Sequence, residues 1–199
     1  QVVFSTGFMA ASIREAFGDA YAGSSLSYAE EPAPLGTGGG LRLAATLTAT
    51  ETLLVFNGDS FCAVGLADFL GDHRAHGGTP SIVLARQPDT LRFGRVDCDM
   101  NGEIQAFRER GCETGPGWMN AGIYALPRQL VMKLHENRPL SLEREVFPEW
   151  VKTGLRGYCC EAAFLDIGTP ESYARAAAFF AARAARPHVP TEPRHGPHD

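Results

Sequence analysis

The chain has 199 residues, 44% of them hydrophobic and 21% charged, an ordinary composition for a globular protein with a sizeable core. A formal net charge of -5 with no basic block argues against nucleic acid as a partner. No apolar run approaches the roughly 20 residues that span a bilayer, and Gln1–Ser5 has neither the basic region nor the cleavage pattern of a signal peptide. A cytoplasmic protein without membrane contact is expected.

Gln1–Phe4 reads as the body of a strand, which suggests that the sequence begins inside a domain. Met9–Phe17 has helical spacing, with Ile13 and Phe17 four apart, and Gly18-Asp19 stops it. Leu26–Ala29 is a second strand. Prolines and glycines forbid a regular strand over Glu30–Gly40, and Leu41–Leu47 resumes as a helix. Leu53–Phe56 is an unbroken apolar run, the pattern of a strand buried on both faces, and it ends abruptly at Asn57-Gly58-Asp59-Ser60. Leu66–His76 is helical and Ser81–Ala85 extended. Gly94–Asp99 and Ile104–Phe107 form a hairpin about Asn101-Gly102. Trp118–Leu126 is a strand broken by Asn120-Ala121-Gly122, and Gln129–Leu134 is helical. Ser141 suits the N-cap of a helix over Leu142–Thr153 that Pro148 must bend. Gly157–Ala162 is a strand, and Phe164–Gly168 is an apolar stretch holding an acid. Thr169 and Pro170 open a last helix running to about Arg183. The Pro- and His-rich end has little to bury, so a domain over 1–183 and a disordered tail over 184–199 are expected. Alternating strands and helices imply an α/β fold in three layers, and the hairpin makes the sheet mixed, though mainly parallel.

Five cysteines without a C-x-x-C pair read as reduced thiols. Cys159 and Cys160 face opposite ways in a strand and should not bridge each other, and Cys62 reads as a small buried apolar residue. His73 and His76 share a helix face but have no third ligand nearby, so they read as exposed helix-end residues.

Asp59 follows a strand, where open α/β sheets bind ligands, although Asn-Gly-Asp is equally a turn. Asp166 interrupts another apolar run. Together they could hold Mg²⁺ with substrate phosphates, provided the fold unites them. Pro34-Leu35-Gly36-Thr37-Gly38-Gly39-Gly40 would leave amides open to a ligand, or be a plain flexible turn; it fits neither the P-loop nor the dinucleotide fingerprint. Phe93-Gly94-Arg95-Val96 and Arg108-Glu109-Arg110 could be solvated surface. Asn120, inside an apolar run, needs partners from backbone or ligand.

The order of these motifs is specific. Glu-Glu-Pro-x-Pro-Leu-Gly-Thr-Gly-Gly, Asn-Gly-Asp, Phe-Gly-x-Val, Arg-Glu-Arg, Asn-Ala-Gly-Ile-Tyr, Ser-Leu-Glu-Arg-Glu-Val-Phe-Pro and Phe-Leu-Asp-Ile-Gly-Thr-Pro-Glu-x-Tyr follow one another from Gln1 to about Ala182. This resembles the sugar-1-phosphate nucleotidyltransferases, most of all the D-glycero-D-manno-heptose 1-phosphate and mannose-1-phosphate guanylyltransferases. The resemblance implies a Rossmann-like fold and transfer of a nucleotidyl group from GTP or another NTP to a sugar 1-phosphate, with release of pyrophosphate. It implies Asp59 and Asp166 as Mg²⁺ ligands. Leu35, Gly36, Thr37 and Gly38, with Asn57 and Asp59, would lie at the nucleotide, and Gly94, Glu109 and Asn120 at the sugar phosphate. Arg110 falls where the family usually has Lys, and offers a planar fork instead of a compact ammonium. A homo-oligomer is compatible with the family.

Glu31 falls where related thymidylyltransferases carry a base-reading Gln. A carboxylate only accepts hydrogen bonds. Guanine offers adjacent N1–H and N2 donors, whereas uracil and thymine offer one donor between two carbonyls, so Glu31 favours GTP. Ser141-Leu142-Glu143 and the short C-terminal end tilt the acceptor towards heptose 1-phosphate over mannose 1-phosphate. The family's Gly-Gly-x-Gly-Thr-Arg-Leu signature, with its following Pro-Lys-Pro, does not occur in these residues. Poor activity and an exposed sheet edge beside an absent strand are therefore expected. The competing expectation is a catalytically impaired relative that binds sugar nucleotides without turnover.

Overall fold

The computed structural model describes residues 1–108, 110–112, 114–136 and 138–184. The tail expected over 184–199 lies, apart from Ala184, outside the described residues. The chain divides into two compact units, Gln1–Leu53 with Pro127–Trp150, and Leu54–Leu126 with the chain from Val151 onwards.

In the first unit, β1 (Val2–Thr6) pairs in parallel with β3 (Ser24–Glu30), and the two-residue β2 (Ala20–Tyr21) adds antiparallel to β3. Parallel neighbours need a crossover, which α1 (Ala10–Phe17) supplies before Gly18 ends it at φ 64°. Phe4 lies opposite Tyr28 in the register and stacks on it at 5.6 Å, with the Phe17 ring 5.7 Å from that of Phe4. The glycine segment is not the loop expected from its composition. It opens α2 (Gly36–Ala45), whose Leu41 and Ala45 are buried. Glycine disfavours a helix interior by about 1 kcal/mol per residue, so tertiary contacts described below must hold these turns. α4 (Arg128–Val131) is shorter than expected. Ser141 does cap the next helix, its Oγ accepting from the Arg144 N–H at 3.2 Å. That helix opens as one π turn over Leu142–Val146 and passes into α5 (Phe147–Val151). The irregularity falls just before Pro148, which has no N–H to donate.

The second unit is built on a mixed sheet ordered β10 (Arg156–Cys160), β6 (Ser81–Gln87), β9 (Gly117–Pro127), β7 (Arg95–Cys98), β8 (Ile104–Arg108), with β4 (Thr52–Phe56) also paired to β9. β10 and β6 are parallel, but β6–β9, β9–β7 and β7–β8 are antiparallel, so these pairings are mixed but not mainly parallel as expected, because β9 runs against both β6 and the first strand of the hairpin. Two-sided burial belongs to β6 and not, as expected, to β4. Ile82, Val83, Leu84 and Ala85 are fully buried, and Val83 and Ala85 join a core cluster with Phe69, Met119 and Ile123. In β4, Leu53 is buried but Phe56 is 51% exposed. β9 is continuous where a break was expected. Gly122, at φ 75°, sits in a bulge, and the pairing shifts register between Ile82 and Leu84.

The hairpin is present, but its connection is longer than two residues. Asp99 Oδ1 accepts the N–H groups of Asn101 and Glu103, each at 2.9 Å, and Gly102 takes φ 80°. The hairpin end is tied back to β10 and the residue before it by Ile104 N–H to Leu155 C=O (2.9 Å) and Gly157 N–H to Gly102 C=O (2.8 Å). α3 (Leu66–Ala75) packs Phe69 and His73 inward, so His73 is buried and not an exposed helix-end residue. β5 (Ser60–Cys62) and β11 (Phe164–Asp166) form a separate antiparallel ribbon. The last helix is two, α6 (Pro170–Ala174) and α7 (Ala176–Ala184). Thr169 caps α6 in a reciprocal box with Ser172. All five cysteines are free, with Cys62 and Cys160 buried. No helix among the described residues is long and apolar enough to cross a membrane.

Candidate active site

The β5–β11 ribbon brings the two acids together. Asp166 lies opposite Ser60, and the Ile167 N–H donates to the Asp59 C=O at 2.8 Å, so the backbones of Asp59 and Asp166 are diagonal neighbours at one end of the ribbon. A Cβ added to Gly168 would stand 3.3 Å from Asp166 Oδ2, so the glycine leaves room beside this carboxylate. Two hard oxygen donors on adjoining strands suit a divalent cation that takes its other ligands from phosphate and water. No cluster of three or more potential His, Cys, Asp or Glu ligands occurs among the described residues. Arg92 was missed by the sequence reading. Its Nη2 donates to Asp166 Oδ1 at 2.5 Å.

The Asn57 turn is held by the bulge in β9. The Asn57 N–H donates to the Gly122 C=O at 2.7 Å. A Cβ on Gly122 would lie 2.9 Å from Asn57 Cβ and 2.7 Å from Ser60 Oγ, so only glycine admits this approach. Asn120 finds its partners within the chain. Its Oδ1 accepts the Gly122 N–H at 2.9 Å, and its Nδ2 donates to the Tyr124 hydroxyl at 3.1 Å. That hydroxyl is directed at Asn57 Oδ1, 3.5 Å away. Asn-Ala-Gly-Ile-Tyr is thus a device that shapes the turn carrying Asp59. Gly94 takes φ 80° against the end of the hairpin, where an added Cβ would meet the Arg108 carbonyl oxygen at 2.7 Å and the Arg110 N at 3.5 Å. Gly94 and the exposed Arg110 are therefore neighbours. Glu109 lies outside the described residues.

In the first unit, Glu31 Oε2 accepts the Leu35 N–H at 2.7 Å and Oε1 accepts the Ser5 hydroxyl at 3.1 Å. Each oxygen keeps a second lone pair for a ligand. The glycine segment packs against Leu140, which explains its composition. The Gly38 N–H donates to the Leu140 C=O at 2.7 Å, so this amide is not open to a ligand as expected. A Cβ on Gly36 would lie 2.7 Å from the Leu140 carbonyl oxygen. Thr37 Oγ1 accepts the Leu142 N–H at 2.8 Å and donates to Glu143 Oε2 at 3.0 Å. The partnership of Leu35–Gly38 with Leu140–Glu143 spans about a hundred residues of sequence and has no local signal.

Over residues 1–183 the chain matches the family described as nucleotidyl transferase. It is 34% identical over 181 residues to a mannose-1-phosphate guanylyltransferase of Mycobacterium tuberculosis, covering 89% of this chain and 50% of that protein. It is 29% identical over 177 residues to a D-glycero-alpha-D-manno-heptose 1-phosphate guanylyltransferase of Aneurinibacillus thermoaerophilus, covering 88% of this chain and 76% of the relative. The chain thus spans about half the length of the mycobacterial relative. Among solved structures, HddC from Yersinia pseudotuberculosis complexed with GMP-PN aligns with a TM-score of 0.80 at 26% identity, covering 90% of this chain and 78% of that one. The mixed α/β fold is accordingly the Rossmann-like fold of these proteins. Matched over residues 1–183, the chain belongs to the nucleotidyl transferase family.

Proposed function

We propose that the protein transfers a nucleotidyl group from an NTP, GTP preferred, to a sugar 1-phosphate, with heptose 1-phosphate favoured and mannose 1-phosphate next. The products are an NDP-sugar and pyrophosphate. The observation that carries the proposal is that Asp166 pairs with Ser60 while the Ile167 N–H bonds the Asp59 C=O, which makes the backbones of the two acids neighbours in a chain of this family. The guanylyltransferase names of the two relatives support the choice of guanine and of these acceptors.

In this reading Asp59 and Asp166 hold Mg²⁺, which when bound neutralises charge on the reacting phosphates. A phosphate oxygen of the acceptor attacks the α-phosphorus in line, and the bond to pyrophosphate breaks. The chain positions the reactants and stabilises charge instead of forming a covalent bond itself. Glu31, preset by Ser5 and the Leu35 N–H, accepts from the guanine edge. Leu35, Gly36, Thr37 and Gly38 border the nucleotide, with Asn57 at the turn beside Asp59. Gly94, Glu109 and Asn120 serve the acceptor, and Arg110 offers its guanidinium to a phosphate. The test is pyrophosphate release across a panel of NTPs and sugar 1-phosphates. Release with GTP and a heptose or mannose 1-phosphate, lost in Asp59→Asn, is the expected result. Nucleotide binding without release for any acceptor would select a sugar-nucleotide-binding relative instead.

A further inference from the structure

Arg92 is the unassigned group nearest the acid pair. It sits in the segment between β6 and β7, which is well tied down. Asp89 Oδ1 accepts the N–H groups of Leu91 (3.1 Å) and Gly115 (3.2 Å), and the Thr90 C=O accepts those of Phe93 (3.0 Å) and Gly94 (2.9 Å). The Arg92 guanidinium lies 5.2 Å from the Phe93 ring centroid, and Phe93 packs edge-on against Phe164 at 5.6 Å. Phe164 and Asp166 are two apart in β11 and so share a face. The segment therefore grips β11 twice, by a ring on Phe164 and by the 2.5 Å ion pair on Asp166. The next residue after Phe93 is Gly94, on the proposed acceptor side. Glu171, in the first turn of α6, lies within the field of the same guanidinium.

A guanidinium and a divalent cation held on one carboxylate stand a few ångström apart and repel each other. We propose that Arg92 is a positioning residue that holds Asp166 until a divalent cation takes it, and that cation binding then releases this guanidinium towards the acceptor phosphate. The inference rests on the reading of Asp166 as a metal ligand. It makes cation loading precede tight acceptor binding, because the positive charge beside Gly94 is neutralised by Asp166 until the cation displaces it.

The experiment measures Mn²⁺ binding from the free-ion EPR signal in the wild type, Arg92→Gln, Arg92→Lys and Asp166→Asn. Arg92→Gln is expected to bind Mn²⁺ about threefold more tightly, the scale of a half-exposed ion pair. Arg92→Lys should stay near the wild type, and Asp166→Asn should lose most of the binding. A general loss of structure cannot produce a gain in affinity. If Asp166→Asn weakens Mn²⁺ binding but Arg92→Gln does not strengthen it, Arg92 does not compete and the inference falls alone. If Asp166→Asn binds Mn²⁺ as the wild type does, the metal role of Asp166 falls, and this inference with it.

Discussion

Glu31 shows how much a single residue is asked to do. Its two oxygens are already bonded to Ser5 and to the Leu35 N–H, which fixes the direction in which the remaining lone pairs point. Glu31→Gln replaces one acceptor with a donor. It should lower kcat/KM for GTP relative to UTP or dTTP by about tenfold, the worth of a hydrogen bond to a charged group. An unchanged ratio of the three would remove Glu31 from base reading. Gly40 tests the same arrangement from behind. An added Cβ would stand 2.5 Å from Glu31 Oε1 and 2.6 Å from Ser5 Oγ. Both obstructing atoms belong to side chains, and alanine favours a helix by about 1 kcal/mol over glycine, so Gly40→Ala should change stability little. It should instead turn Glu31 away and raise KM for GTP, measured beside an unfolding curve.

At the scale of elements, glycine next to backbone behaves differently. In α2, Gly36 has φ 69°, and its Cβ would meet the Leu140 carbonyl oxygen at 2.7 Å. A backbone oxygen that accepts from Gly38 cannot swing aside as a carboxylate can. Gly36→Ala should therefore destabilise by about 2–3 kcal/mol, combining left-handed strain with overpacking, read as a lower denaturant midpoint at unchanged slope. The β5–β11 ribbon makes the complementary point. Three-residue strands are too short for any periodicity to announce them, yet they bring together two acids more than a hundred residues apart. The acids and the apolar run around Asp166 were legible in sequence; the pairing of β5 with β11 was not.

At the scale of the whole molecule, the buried His73 couples stability to pH. Ser81 donates to the Thr79 C=O at 2.7 Å, so its oxygen accepts from His73 Nδ1 at 3.1 Å, and Nε2 carries the lone pair without a partner. Burial holds this imidazole below its ordinary range. The unfolded chain gains the proton near pH 6.5, roughly the free histidine value, and the folded chain only at lower pH. The stabilisation is thus complete above about pH 6.5 and declines as pH falls through that value towards the folded one. Denaturant midpoints measured from pH 7.5 to 5.5 should fall, and fall less steeply in His73→Asn. Thiol accessibility offers a separate check: in the native protein a thiol reagent should modify the exposed Cys112 quickly, with Cys62 and Cys160 reacting only on unfolding.

The sequence by itself determined the α/β class, the helices with clear periodicity, the cap at Thr169 and the order of motifs that marks the family. Those features depend on local spacing and on residue chemistry that survives in any context. Only the tertiary structure decided which strand is buried on both faces, because burial depends on neighbours. In β6 the run Ile82–Ala85 is fully buried, with Val83 and Ala85 packed into the cluster that holds Phe69, whereas Phe56 of β4 stays exposed. It also decided what the glycines are for. Gly36 and Gly38 meet Leu140, and Gly122 meets Asn57 and Ser60, contacts between segments far apart in the chain. Asp59 and Asp166 stand between these cases. Their chemistry was readable as carboxylates near strand ends, but their adjacency follows from one ribbon's register and the hydrogen bond from Ile167 to Asp59.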